Sequence, residues 1–133
     1  MTVRRSLRYI LYNLLFPLYQ KGVVWRVRHK KHINVVFVAM SVSMWRYQDL
    51  YEAMSRHPRF KATIVILPSR KYTKNQQLSE EKNLISYFTE KGCQFVVDNE
   101  SDGENIIKAL NPDILFYPQP YLDCFDKRYE HIA

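Results

Sequence analysis

The stretch from Ile33 to Pro68 constrains the fold more than any other part of this chain. It runs as an apolar segment, INVVFVAM, a polar break, SVSMW, an amphipathic segment, RYQDLYEAMSRHPRF, and a second apolar segment, KATIVILP. The near-continuous Val, Phe and Ala of the first segment leave it no polar face. It therefore reads as a strand covered on both sides, as in a parallel sheet. Strand, helix and strand in that order form a βαβ unit. Ligands meet such units at the break after the first strand, here Ser41 to Trp45.

Each part of the unit carries its own signals. Ser43 is placed to cap the helix, with Trp45 or Arg46 in its first turn and Tyr47, Leu50, Tyr51 and Met54 on its buried face. His57-Pro58 stops it, and Lys61 to Pro68 is the second strand. The loop PSRKYTKNQQ, Pro68 to Gln77, carries Arg70, Lys71 and Lys74 and exceeds the usual length of a strand-to-helix connection. A helix follows from about Ser79 to Lys91, with Leu84, Ile85 and Phe88 inward and Gly92 at its end. Cys93 to Val97 is a short third strand.

Ser101-Asp102-Gly103-Glu104 is a capping box for a third helix with Ile106, Ile107 and Leu110 as its apolar face. Asn111-Pro112-Asp113 turns the chain into a fourth strand, Ile114 to Tyr117. At 133 residues, with 47% hydrophobic and 25% charged, this is one ordinary globular domain. With 3 glycines and no Ser- or Gly-rich tract, no internal linker is expected. The predicted class is α/β, a three-layer Rossmann-like parallel sheet of about four strands in the order 3-2-1-4 with right-handed crossovers. A basic amphipathic helix precedes it, so the expected domains are 1–31 and 32–133.

That order makes the topology reverse between strands one and four, whose ends open a crevice. Ser41, Val42, Ser43, Met44 and Trp45 form one lip. Pro118, Gln119, Pro120 and Tyr121 form the other, and Arg70 and Lys71 leave the same edge of the sheet. Ser41, Ser43, Trp45, Arg70, Lys71, Gln119 and Tyr121 are thus the candidate residues of a substrate or acceptor cleft.

The net charge of +7 is unevenly placed. Arg4, Arg5, Arg8, Lys21, Arg26, Arg28, Lys30 and Lys31 stand in the first 31 residues without an acid, whereas all 13 acids lie beyond. The domain itself is close to neutral, which argues against a nucleic-acid face. Leu7, Ile10, Leu11, Leu14, Leu15 and Leu18 line one face of an N-terminal helix. Its apolar run, Tyr9 to Tyr19, falls short of the about 20 residues a span requires and contains Asn13 and Pro17. QKGVVWRVRHKK offers no small-residue site for a signal peptidase. An interfacial helix on an anionic membrane fits best, through Arg4, Arg5, Arg8, Leu11, Leu15, Trp25, Arg26 and Arg28. The competing reading packs the same stripe against protein.

Chemistry is sparse. Neither GxGxxG nor GxxxxGK[ST] occurs, and the break at Ser41–Trp45 has no glycine to let a pyrophosphate approach the backbone. Helix N–H groups after Ser43, with Arg70 and Lys71, offer at most an anion cradle. His29, His32, His57 and His131 are scattered. Asp49 and Glu52 belong on a solvent face, and Asp123 and Asp126 follow strand four, where approach to the crevice and helix capping explain them equally well. No nucleophile–base pair emerges, so no catalytic residue is assigned. Cys93 and Cys124 suit neither a disulfide framework nor a zinc site, and two free thiols in a reducing compartment are expected.

The run VVFVAMSVSMWRYQDLYEAMSRHPRFKATIVILP with the later NPDILFYPQPY resembles the N-terminal half of bacterial CDP-glycerol glycerophosphotransferases, the teichoic-acid polymerase family. The resemblance rests on the SMW-x-Y after the first strand, the helix ending in HPRF and the PD-strand ending in a proline-rich turn. It covers about residues 33 to 129. It implies a GT-B arrangement, two Rossmann-like domains across a cleft, with this one on the acceptor side. The CDP-activated donor would bind a C-terminal domain outside this chain, which would also carry the His-Gly motifs of catalysis. No cofactor is therefore expected here, and transfer by this chain alone is not expected. The implied partners are an anionic membrane surface, a lipid-linked or polymer acceptor and that second domain, at the cytoplasmic face of the membrane. The implied setting is synthesis of a cell-surface polymer such as teichoic acid, capsule or lipopolysaccharide. Two rivals stay open: a non-catalytic Rossmann-like binding or interaction module tethered to the membrane surface, and a nucleic-acid binder acting through the basic arm.

Overall fold

The computed structural model describes residues 3–98, 105–119, 122–125 and 129, with the side chains of 3–8, 11 and 122 excepted. The chain divides into two compact units, Met1–Lys31 and His32–Ala133.

The first unit is a helix, α1, spanning Val3–His29. At 27 residues it is about 40 Å long. Pro17 withholds the N–H that would bond the Asn13 carbonyl, yet the helix runs through it and on well past the apolar segment. One turn earlier, the Asn13 side chain donates from Nδ2 to the Tyr9 carbonyl at 2.8 Å. Arg26, Arg28 and His29 occupy the last turn, where cations complement the negative end of the helix dipole. Among the described residues, no helix is long and apolar enough to cross a membrane.

The second unit is a four-stranded parallel sheet in the order β3-β2-β1-β4. Its strands are β1, Ile33–Ala39; β2, Phe60–Ile66; β3, Phe95–Val97; and β4, Ile114–Phe116. The order is the one the sequence pattern predicts. The connecting helices are α2, Gln48–Arg56; α3, Lys74–Glu90; and α4, Ile106–Leu110. A 3-10 turn, Leu122–Cys124, follows β4. Central β1 pairs with β2 along its whole length, from Ile33↔Phe60 to Ala39↔Ile66, and with β4 from Val35↔Ile114 to Phe37↔Phe116.

Alternation along β1 divides the core into two layers. Phe37 points to the side of α2 and α3, where its ring meets Trp45, Tyr51 and Phe116 with centroids 6.2, 5.8 and 4.8 Å away. Trp45 in turn packs edge-on against Phe88 of α3 at 4.9 Å. Val36, Val38 and Met40 point the other way, into a cluster with Val65, Leu67, Ile107, Cys124, Phe125 and Tyr129. Both faces of β1 are thereby covered, which is why its sequence has no polar alternation. Both cysteines are free thiols, Cys93 half-buried and Cys124 buried.

Several boundaries differ from the predicted ones. Helix α2 starts at Gln48, with Tyr47 at its N-cap and no side-chain cap, so Ser43 does not cap it. Trp45 is held in the aromatic layer and keeps the chain non-helical until that ring is placed. On α2 only Tyr51 is buried, while Tyr47 and Met54 are half-buried and Leu50 is exposed. Helix α3 starts five residues earlier than expected, at Lys74 rather than about Ser79, because Thr73 and Gln76 form a capping box. Thr73 Oγ1 accepts from Gln76 N at 3.3 Å, and Gln76 Oε1 accepts from Thr73 N at 2.9 Å. The expected capping box at Ser101–Glu104 lies outside the described residues. Asn105 caps α4 instead, its Oδ1 accepting from Lys108 N at 3.0 Å.

Candidate functional site

The loop after β1 turns inward at Ser41, which is fully buried, and its Oγ lies 3.2 Å from Ser43 Oγ. Ser43 itself is exposed. Trp45 is 8% exposed. Its indole Nε1 donates to Gln48 Oε1 at 2.9 Å, and Gln48 Nε2 donates onward to Glu52 Oε1 at 2.7 Å. Ring packing on Phe37 and Phe88 makes Trp45 a core residue, not an open stacking platform. Tyr47 closes the same edge by donating its hydroxyl to the Tyr117 carbonyl at 2.6 Å, tying the loop to the end of β4.

On the opposite lip, Gln119 donates from Nε2 to Met44 Sδ and accepts at Oε1 from the Cys124 thiol at 3.0 Å. Side chains of both lips thus meet across the β1–β4 crevice. Tyr121 and Pro120 lie outside the described residues. The helix N–H groups that an anion cradle at Ser43 would use do not follow Ser43, because α2 begins at Gln48.

The bases of the β2–α3 loop bind the turn after β4. Arg70 N donates to the Cys124 carbonyl at 2.9 Å, and its Nη1 donates to the Phe125 carbonyl at 3.3 Å. Lys71 Nζ lies 3.2 Å from Asp123 Oδ2, both side chains being well exposed. The hydrogen bond and charge of Asp123 raise the Lys71 ammonium above its ordinary value. Burial alone pushes the Tyr117 phenol up. Its hydroxyl oxygen is enclosed with no hydrogen-bond partner among the described residues.

The structure therefore brings Ser41, Ser43, Trp45 and Gln119 to one edge of the sheet, with Arg70 and Lys71 braced against the same 3-10 turn as Gln119. A cavity of about 480 Å³ lies at the ends of β2 and β3, lined by Pro68, Lys74, Gln77, Leu78, Glu81, Val97 and Asp98. Of these, the sequence singles out only Lys74, and as a loop base. The usable signal was the capping box Thr73–Gln76, which starts α3 early enough to put Lys74, Gln77, Leu78 and Glu81 on one helix face. Among the described residues, no group of three or more His, Cys, Asp or Glu side chains is placed to hold a metal ion.

On α1, Ile10, Leu14, Leu15 and Leu18 are 54% to 63% exposed. Helical spacing puts these aliphatic residues on one side, and Tyr9, Tyr12, Phe16 and Tyr19 on the adjoining side. Tyr12 and Phe16 stack with centroids 4.9 Å apart. The apolar surface is therefore broader than the single stripe predicted. Trp25, Arg26 and Arg28 are also exposed. Arg4, Arg5, Arg8 and Leu11 lie on the same helix, their side chains outside the described set.

Comparison of this chain with protein-family models, with curated proteins and with solved structures returns no match.

Proposed function

We propose that this chain is the acceptor-side domain of a membrane-associated CDP-glycerol glycerophosphotransferase-like enzyme, or of a related glycosyltransferase, acting in cell-surface polymer synthesis. In this reading the sheet forms one wall of a cleft and a second α/β domain supplies the donor site and the chemistry. The observation that carries it is the turn after β1, which stands where a nucleotide loop stands yet contains no glycine from Ser41 to Trp45. A wall that positions an acceptor has no need of that glycine; a diphosphate cradle does. The motif resemblance over residues 33 to 129 supports the same assignment. The eight bases and the exposed aromatic and aliphatic side chains of the first 31 residues support delivery to an anionic, acceptor-bearing membrane.

A membrane-tethered, non-catalytic binding module is the second reading. It is favoured by the Met44–Gln119–Cys124 contacts that bridge the β1–β4 crevice. Reading the coding sequence downstream of Ala133 separates the two. A second α/β domain bearing His-Gly motifs is the expected result. A stop codon there removes the transferase reading and leaves the module.

A further inference from the structure

Helix α1 has two apolar sides, and a bilayer beneath it covers only one of them. Ile10, Leu14, Leu15 and Leu18 stand together round the helix, and Trp25, seven residues after Leu18, continues that side. Tyr9, Tyr12, Phe16 and Tyr19 are centred about 150° away from it. A helix that lays its aliphatic side on a membrane therefore turns these four rings away from the lipid. They are 40% to 73% exposed, and Tyr12 and Phe16 stack with centroids 4.9 Å apart and planes at 8°. Four neighbouring aromatic side chains in water form a contiguous apolar patch, the kind that marks an interaction surface.

Their spacing names the partner. Steps of three, four and three residues, continued by a step of four to Val23, are the a and d positions of a heptad, the pattern that pairs one helix with another. The positions flanking this seam are Asn13 and Gln20 on one side and Leu15 and Gly22 on the other, so no charge borders it where two copies would meet. Arg4, Arg5 and Arg8 precede the seam, Arg26 and Arg28 follow it, and no acid stands in the first 31 residues. Two such helices repel in water whichever way they run. An anionic surface neutralises that charge and confines the copies to a plane, which raises their effective concentration. The four rings can bury about 500 Å² per copy. The total, about 1,000 Å², is the lower limit for a specific interface, so the seam holds only where the charge is screened. We propose that α1 pairs with the α1 of a second copy of this chain through Tyr9, Tyr12, Phe16 and Tyr19, while its aliphatic side lies on an anionic bilayer. The inference rests on the membrane reading of α1 and is independent of the transferase assignment.

The test is amine-reactive crosslinking of the full chain, resolved on denaturing gels and run beside flotation. On phosphatidylglycerol vesicles at about 50 mM NaCl a crosslinked dimer is expected, weaker by about fivefold or more when the vesicles are left out. Tyr12→Ala with Phe16→Ala keeps the helix and its aliphatic side, so it should cut the dimer by about fivefold or more and leave flotation within about twofold of wild type. If this pair lowers flotation as much as crosslinking, the rings face lipid and the proposal is overturned. It is overturned equally if the chain floats without a dimer, if the dimer is as strong without vesicles at the same salt, or if the paired variant crosslinks like wild type, as crowding alone would produce. A chain that does not float removes the membrane reading instead. The seam then stands or falls on crosslinking without vesicles at about 1 M NaCl, where charges are screened within about 3 Å and the dimer must again depend on Tyr12 and Phe16.

Discussion

Phe37 holds the α2–α3 layer together. It is fully buried in central β1 and stacks on Phe116 with planes 10° apart, while Trp45 and Tyr51 meet it edge-on. Truncating such a ring removes its transfer energy and leaves a cavity that neighbours on two strands and a helix cannot fill. Phe37→Ala is therefore expected to destabilise the chain by about 3–5 kcal/mol in denaturant unfolding. A loss below about 1 kcal/mol would contradict this packing. Tyr117 behaves oppositely. Its ring packs on Phe125 at 5.0 Å, but its hydroxyl is enclosed without a partner among the described residues. Tyr117→Phe keeps the ring and the backbone carbonyl that receives Tyr47, so stability should be unchanged or slightly higher. The pH dependence carries a sign. Burial raises the folded phenol above the ordinary 10.0 at which the unfolded chain ionises. Above that pH the folded state holds a proton the unfolded state has lost, so this contribution to stability fades as pH rises. Unfolding midpoints at pH 8 and pH 10.5 should differ more for wild type than for Tyr117→Phe.

At the scale of the element, α3 shows how much a helix start decides. Thr73 and Gln76 satisfy each other's backbone N–H groups and set the first turn at Lys74. Thr73→Ala should cost about 1 kcal/mol, read as a shift of the denaturation midpoint. It should also weaken the cavity wall formed by Lys74 and Gln77, and an unshifted midpoint would mean the cap is idle. The T-x-x-Q signature for this start is present in the sequence, although the loop bases around it suggested a longer connection. The start of α2 had no such local signal. Ser43 is a good capping residue by type, but Trp45 and Tyr47 are drawn to Phe88 and to the Tyr117 carbonyl, residues far along the chain. Propensity within a five-residue window loses to contacts of that kind.

At the scale of the whole molecule, net positive charge and apolar exposure are concentrated in residues 1–31, and the prediction concerns vesicles. The full chain should float with phosphatidylglycerol-containing liposomes and not with neutral phosphatidylcholine ones. Each base near an anionic surface is worth about 1 kcal/mol, so Arg26→Gln with Arg28→Gln should reduce partitioning by about 30-fold. Leu14→Glu with Leu18→Glu should abolish it by removing the aliphatic side. Flotation unchanged by both pairs would show that α1 is not the membrane element.

The sequence by itself determined the class, the strand order and the division of charge. These rest on signals that are local or cumulative: the unbroken apolar run of β1, the alternation of strand and helix, and the eight bases up to and including Lys31 with no acid among them. Only the tertiary structure decided where space remains. The crevice predicted at the topological reversal is bridged by Met44, Gln119 and Cys124, and Trp45 is consumed by the core. A cavity of about 480 Å³ opens one strand over, with Lys74, Glu81 and Asp98 in its lining. Whether a gap between strand ends is open or filled depends on the volumes and contacts of side chains distant in sequence. Periodicity records which face a residue takes, not what stands opposite it.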